Sequence, residues 1–452
     1  MQKTIFITIL QGVEAKNILR TEVYRNLIKE PNLRLVFFVS SKERADYYGG
    51  EFKNNQVVYE VIDRPKASFW NNIFSFLKFK LINTATLDLR RRMRTEKNPM
   101  SRVLYPFSFA FNRIFAVKPF RQISRWLDYR LVKDNTFAPF FEKYKPDLVF
   151  SAHLFDDLEI MMLQEARRRG IKTIGFINSW DKLTVRCMVR LLPDQLLVYN
   201  EIVKKEAMDY ADMPEERITI VGIPQYDQYV FKKPGLRETF YKRIGVDPSK
   251  KILLYAPLGK TYSNTDWDMV DLLQNLQKQG RISKDLQILM RFQPNDFADE
   301  AEIKKRPWLI YDTPGVRFSK KRGVDWDMNS DDLQHLLDTL HYSSMLVAYP
   351  TSLVVDIAVF DKPIINIGFE IGQEPDPYKR PTAYYGMAHY QKALSTGAIR
   401  VVKSPEVLVE WINNYLIDPT LDQEARKKII DQQCWKLDGR SGERIVQAML
   451  KI

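Results

Sequence analysis

The sequence predicts an α/β protein made of two doubly wound, Rossmann-like domains, the first of them interrupted by basic amphipathic helices. Three observations lead there. The chain has 452 residues, 45% of them hydrophobic, which exceeds one ordinary core and suits two domains of roughly 200 residues each. Short continuous apolar runs alternate with helical patterns, as a parallel sheet covered by helices on both faces requires. The net charge of +13 lies wholly in residues 64–133, where 16 Lys and Arg face only Asp88, Glu96 and Asp128; the remainder sums to zero.

In the first half the runs KTIFITIL, LRLVFFVS, QVVYEVI, PDLVFSA, KTIGFIN, QLLVYN and RITIVG read as strands, and in the second half KILLYAP, LQILMRF, PWLIYD, MLVAYP and PIINIGF. Between the two sets, QYDQYVFKKPGLRE with Pro234-Gly235 reads as a linker. The expected division is a first domain at 1–228 with its helical excursion at about 64–143, a second domain at 229–425, and C-terminal helices at 426–452 that cover the domains.

The basic stretch carries two apolar stripes in helical register, Trp70, Ile73, Phe74, Leu77 and Leu81, then Phe107, Ala110, Phe111, Ile114 and Phe115. A Phe/Trp/Leu face beside Arg and Lys suits the interface of an anionic membrane. A helical subdomain with its aromatics in the core and a solvated basic rim accounts for the same spacing. Nucleic acid ranks lower as a partner, because the aromatics keep a helical period instead of being scattered as stacking platforms. No run of about 18 apolar residues is available to span a bilayer, and the first apolar stretch is too short and wrongly flanked for a signal peptide. Cys187 and Cys434 provide neither a disulfide framework nor a metal cluster, and the histidines at 153, 335, 341 and 389 lack ligand spacing. The expectation is a cytoplasmic protein, peripheral on the inner face of the membrane, with no metal.

In doubly wound sheets, ligands bind beyond the carboxyl ends of the strands. The stretch YPTSLVVDIAVFDKPIINIGF at 349–369 places Thr351 and Ser352 between a strand and a helix, where backbone N–H groups and the helix dipole favour phosphate. Asp356 lies one turn further on the same face, within reach of a ribose diol. Helix capping by the hydroxyls, with Asp356 solvated, is the alternative.

Several segments occur in an order that resembles a known superfamily. They are INSWDKLTV (177–185), LLVYNEIVKKEA (196–207), ITIVGIPQYD (218–227), YAPLGKT (255–261), the stretch 349–369, STGAIRV (395–401) and DGRSGERI (438–445). Together they resemble the GT-B glycosyltransferases, and among them the branch of CDP-glycerol glycerophosphotransferase-like and related surface-polysaccharide transferases. The resemblance covers most of residues 145–452. It implies two domains facing a cleft, the second binding a nucleotide-activated donor, with Ser352 in the phosphate turn and Asp356 at the nucleotide ribose. It also implies transfer of a sugar or polyol phosphate to a surface-glycan or lipid-linked acceptor in cell-envelope biosynthesis. Two departures stand out. Related glycerophosphotransferases commonly have His-Pro where this chain has Gln293-Pro294, and the glycine-rich loop after the first strand of many GT-B enzymes is reduced to Gly12.

A nucleotide leaving group needs cations or fixed donors at its phosphate. Lys260 and Arg291 stand at the right strand ends, though a surface ion pair explains either. The Asp325-Trp326-Asp327 sequence sits in a polar stretch and reads as a solvated loop, so no metal cofactor is expected. The attacking hydroxyl needs a base from first-domain strand ends. Glu14, His153, Asp156 and Asp181 follow such strands, and Asp181 and His153 are the preferred pair, His153 for a pKa expected near neutrality. Arg20 is a candidate for an acceptor phosphate, with a solvated helix face as the alternative. A non-hydrolysing nucleotide-sugar epimerase and a catalytically silent GT-B scaffold remain the competing functions. Neither the donor's base and sugar, nor the acceptor, nor the anomeric outcome is encoded legibly.

Overall fold

Continuous apolar runs need cover on both faces, and the fold supplies it with two all-parallel sheets. The structure, a computed structural model, describes residues 2–319 and 325–451. Its chain divides into two compact units, residues 1–230 with 434–452, and residues 231–433.

Unit 1 holds β1 (Lys3–Ile9), β2 (Leu33–Val39), β3 (Val57–Val61), β4 (Leu148–Ser151), β5 (Lys172–Phe176), β6 (Gln195–Val198) and β7 (Ile218–Ile220). They form one parallel sheet in the order β3-β2-β1-β4-β5-β6-β7. Unit 2 begins with β8 (Lys251–Ala256), β9 (Leu286–Arg291) and β10 (Ile310–Asp312). Two short strands, β11 (Val316–Arg317) and β12 (Trp326–Asp327), then make an antiparallel pair, and β13 (Ser343–Ala348), β14 (Ile364–Ile367) and β15 (Ile399–Val402) complete the unit. Its parallel sheet runs β10-β9-β8-β13-β14-β15. Central strands such as β1 and β8 are buried along all but their first residue, which is why they read as unbroken apolar runs rather than alternating ones.

Three features differ from the sequence expectation. β15 arises in the STGAIRV segment, which stands out by motif and not as a strand. Asp327 is fully buried in the β11–β12 pair instead of lying in a solvated loop. The C-terminal helix Ser441–Leu450 returns to unit 1, where the Asp227 carboxylate accepts hydrogen bonds from the backbone N–H of Ser441 at 3.1 Å and of Gly442 at 2.7 Å. At Gly442 a Cβ would stand 2.8 Å from the Val23 nitrogen, so no side chain fits. Two motifs far apart in sequence, ITIVGIPQYD and DGRSGERI, are thus one contact.

The chain between β3 and β4 is helical at Phe69–Leu77, Ala85–Lys97, Pro99–Phe115, Lys118–Leu131 and Ala138–Tyr144. The first apolar stripe is partly core, since Phe74 and Leu81 are buried while Trp70 is exposed. The second is outside. On Pro99–Phe115 only Asn112 is buried, while Met100, Val103, Leu104, Phe107, Phe111 and Ile114 are exposed. On Lys118–Leu131 the buried residues are Arg121, Ser124, Arg125 and Asp128, and Phe120, Ile123 and Trp126 face outward. These two helices are inside out, polar toward the unit and apolar away from it. Among the described residues, fourteen of the twenty-two large exposed apolar side chains lie in residues 69–126.

The buried polar face is tied down by charge-assisted hydrogen bonds. Asp212 takes Arg121 at 2.5 and 2.8 Å and Arg125 at 2.7 Å. Asp128 takes both Nε and Nη2 of Arg190, at 2.7 and 2.9 Å, and Arg190 continues to Asn71 at 2.8 Å and Asp157 at 3.0 Å. Lys78 pairs with Asp157 at 2.8 Å. Three buried cations of the stretch, Lys78, Arg121 and Arg125, therefore neutralise acids elsewhere in unit 1 rather than joining a solvated rim. Burial alone would raise the Asp212 pKa, but the two guanidiniums outweigh it and hold the carboxyl below its usual value. Its contribution to stability is therefore present above the ordinary carboxylate pKa and lost on acidification through the lowered one. Asp212→Asn leaves two buried guanidiniums short of a counter-charge, and chemical denaturation is expected to show a loss of about 3–5 kcal/mol at neutral pH. The difference from wild type should shrink as the pH falls below the carboxylate range.

Candidate active site

Each sheet reverses its strand order once, between β1 and β4 in unit 1 and between β8 and β13 in unit 2. Connections leave in opposite directions at such a point, opening a crevice at the carboxyl ends. The site residues expected from sequence fall at these ends.

In unit 2, Thr351 and Ser352 follow β13. The Thr351 hydroxyl accepts from the Leu353 N–H at 3.3 Å, whereas Ser352 makes no side-chain capping bond and is exposed. Capping therefore falls to Thr351, and Ser352 is left exposed beside it. Asp356 is buried rather than solvated, one turn into the helix Leu353–Val359.

Across the reversal, the loop after β8 is held by acids. Asp266 accepts from the N–H groups of Leu258 at 3.1 Å and Gly259 at 2.8 Å, and Asp296 accepts from Lys260 N at 2.7 Å. Gly259 adopts φ +82°, and a Cβ there would stand 2.2 Å from Asp296 Oδ2; the position needs glycine for both reasons. Lys260 Nζ pairs with Asp299 at 2.5 Å on an exposed surface. Arg291, the last residue of β9, is buried and pairs with Asp312 on adjacent β10, which also receives His335 at 3.0 Å. The structure thus brings Arg291 to the strand end but inside an ion pair.

In unit 1 the carboxyl edge gathers Glu14, His153, Glu159 and Lys182, all buried. Glu14 Oε2 accepts from the N–H groups of Leu10 at 2.5 Å and Gln11 at 3.0 Å. His153 Nδ1 lies 3.0 Å from Glu159 Oε2 and its Nε2 lies 3.3 Å from Lys182 Nζ. Thr8 donates to Glu159 Oε1 at 2.8 Å. Burial and the cations Lys182, Arg186 and Lys78 push His153 well below the usual imidazole range, so it is neutral at physiological pH. That corrects the expectation of a histidine titrating near neutrality. Burial likewise raises Glu159 well above the carboxylate range, and raises Glu14 to about 7 against the pull of its two backbone donors.

Asp181 stands differently. It begins the short helix Lys182–Val185, whose four residues are buried, while Asp181 itself is half-buried and accepts from the Ser179 hydroxyl at 2.5 Å. Asp156 caps the helix Asp157–Arg168 through Leu158 N at 3.0 Å and pairs with Arg64 at 2.5 Å. Arg20 is buried against Glu51 at 2.6 Å instead of lying on a solvated face. Glu159 and Lys182 escaped sequence reasoning. Lys182 lies inside the motif INSWDKLTV, where Asp181 drew the attention, and Glu159 had no signal beyond its place one turn into the helix that Asp156 caps.

Residues 179–451, more than half of the chain, match the family described as CDP-glycerol:poly(glycerophosphate) glycerophosphotransferase. The chain belongs to that family. A UDP-N,N'-diacetylbacillosamine 2-epimerase (hydrolysing) from Legionella pneumophila is 26% identical over 51% of this chain. The alignment spans 59% of that relative's length. Among solved structures, a UDP-N-acetylglucosamine 2-epimerase described as such from Listeria monocytogenes aligns over 100% of this chain and 96% of its own, with TM-score 0.56 and 10% identity. The wall teichoic acid polymerase TagF aligns over 100% and 88%, with TM-score 0.51 and 14% identity. These likenesses establish the GT-B type of fold.

Within the glycerophosphotransferase family, the Gln293 departure has a structural role here. Its Nε2 donates to the carbonyls of Pro257 at 3.2 Å and Leu258 at 3.0 Å, bracing the loop that carries Lys260. The nearby titratable imidazole is His335, which burial and Arg291 lower to about 4. A histidine kept neutral when folded destabilises the fold as pH falls from about 6.5 through about 4, because the unfolded chain takes up the proton first. The melting temperature of His335→Asn, measured across that range, should fall less steeply than that of the wild type.

Proposed function

We propose that this protein transfers a sugar or a polyol phosphate from a nucleotide-activated donor to a surface-glycan or lipid-linked acceptor, working at the cytoplasmic side of the membrane. The observation that carries the reading is the division of labour after β13. Thr351 caps the helix, which leaves exposed Ser352 for a donor phosphate, with Asp356 one turn deeper for the ribose. Among the described residues the Lys260 ammonium pairs with Asp299 at the surface, a pair of little net stability, so it is able to exchange Asp299 for a phosphate. Arg291 acts from behind, its pair with Asp312 fixing the end of β9.

On the acceptor side, Asp181 is the carboxylate that reaches the edge and accepts the proton of the attacking hydroxyl. His153 supports it at one remove, since Lys182, the next residue, is anchored on the imidazole. No metal or organic cofactor enters this scheme. The epimerase named among the relatives motivates a second reading, in which the donor's sugar is altered rather than transferred.

Attachment to an anionic membrane surface through residues 64–133 belongs to the same proposal. Phe107, Phe111, Ile114, Phe120, Ile123 and Trp126 are exposed, and Arg102, Arg113, Lys118 and Arg130 are exposed among them. Such a surface suits the boundary between headgroups and acyl chains. No helix among the described residues is long and apolar enough to cross a bilayer. A nucleic acid partner is disfavoured, because the cations border a continuous apolar face.

Two experiments test these claims separately. Asp356→Asn should weaken donor binding by roughly 10- to 100-fold in calorimetric titration, the worth of one hydrogen bond to a charged acceptor, with an unchanged melting temperature; wild-type affinity would move the ribose contact elsewhere. Phe107→Glu with Trp126→Glu should abolish sedimentation with anionic vesicles while leaving donor binding intact. Undiminished sedimentation of that double variant would remove the membrane assignment.

A further inference from the structure

The unit 1 cluster gathers two carboxyl groups and an imidazole in a buried space. Glu14 comes from the helix after β1, His153 from the loop after β4 and Glu159 from the helix Asp157–Arg168. One ligand atom from each lies within 4.8 Å of the other two, and all three residues are buried. Lys182 is the cation that touches the imidazole; the Arg64–Asp156 pair nearby is already neutral. Two buried carboxyl groups with one ammonium touching the cluster are stable only when each carries a proton or a further positive charge is present.

The wiring shows where that charge would sit. Glu14 Oε2 is occupied by the Leu10 and Gln11 N–H groups, but Oε1 is buried with no hydrogen-bond partner among the described residues. Glu159 Oε2 and His153 Nδ1 are 3.0 Å apart, about the spacing of two neighbouring ligands whose bonds to one ion are about 2.1 Å long. We propose that Glu14, His153 and Glu159 form a binding site for a divalent transition-metal ion of the Mn2+ or Zn2+ class. Two carboxylates and one imidazole are a mixed oxygen and nitrogen set, which favours these ions over the all-oxygen sites of Mg2+ and Ca2+. The ion's two charges balance both carboxylates and give Glu14 Oε1 the partner it lacks. Thr8, which donates to Glu159 Oε1, holds that carboxylate in place from the far side. The site lies at the β1/β4 reversal, and its ligation fixes the loops after both strands together with Lys182, the residue next to Asp181. It goes beyond the transferase reading and stands whether or not that reading holds.

The test uses the full chain, stripped with chelator and dialysed against MnCl2 or ZnCl2 at micromolar concentration. Elemental analysis should find about one ion per chain in wild type, and at least a 100-fold weaker dissociation constant in Glu14→Gln and Glu159→Gln. Asp181→Asn, outside the ligand set, should retain the ion. The paramagnetic resonance of Mn2+ bound to the wild type should show coupling to one nitrogen, which decides the matter even if the variants unfold. Substoichiometric metal in the wild type, absence of the nitrogen coupling, or full occupancy in both glutamine variants would each overturn the site. A Glu14→Gln protein that is more stable than a metal-free wild type would show instead that a proton on Glu14 supplies the missing charge.

Discussion

Everything in this molecule depends on the strands of its two large sheets running parallel. A parallel neighbour can be reached only by a crossover, so every strand's carboxyl end emerges on the same edge. In unit 1 that edge gathers Glu14, His153 and Asp181 from positions up to 167 residues apart in sequence. In unit 2 it gathers Lys260, Arg291 and Ser352 in the same way. The reversal of strand order then selects which of these ends border a crevice. Chemistry-bearing residues are scattered in sequence and collected in space by this one constraint.

A second constraint governs the helices between β3 and β4. Helices normally bury their apolar stripe, but Pro99–Phe115 and Lys118–Leu131 bury asparagine, arginine and aspartate instead. This is possible because each buried charge is answered by name: Arg121 and Arg125 by Asp212, Asp128 by Arg190. Buried ion pairs add little net stability against apolar residues of the same size, but they are intolerant of substitution and so fix orientation. Their use here turns the Phe, Ile and Trp side chains outward and holds them there. Such an outward face is what the proposed attachment to a membrane surface uses.

The sheets were legible because buried parallel strands leave unbroken apolar runs, as in KTIFITIL and KILLYAP. β15 was missed because Arg400 interrupts its short apolar run IRVV. The place of Thr351, Ser352 and Asp356 between β13 and the helix Leu353–Val359 was legible because a strand, a proline and a helical pattern frame them. The unit 1 cluster was less legible, since Glu14, His153 and Glu159 have no spacing that sequence alone recognises, and the neutrality of His153 follows from burial. The helical stretch was half read: its charge and period were plain, but which face turns inward depends on Asp212 and Arg190, residues beyond its own span.

The central claim is that a nucleotide-activated donor is cleaved here and its carried group transferred. The most direct measurement follows donors of different bases by phosphorus NMR, each carrying a labelled group, with the protein and vesicles bearing a glycosylated lipid. The account predicts that for one base the diphosphate signals give way to free nucleotide, in step with incorporation of the label into lipid-extractable or polymeric product. Donors recovered unchanged for every base, or recovered as an epimerised sugar without incorporation, would contradict it.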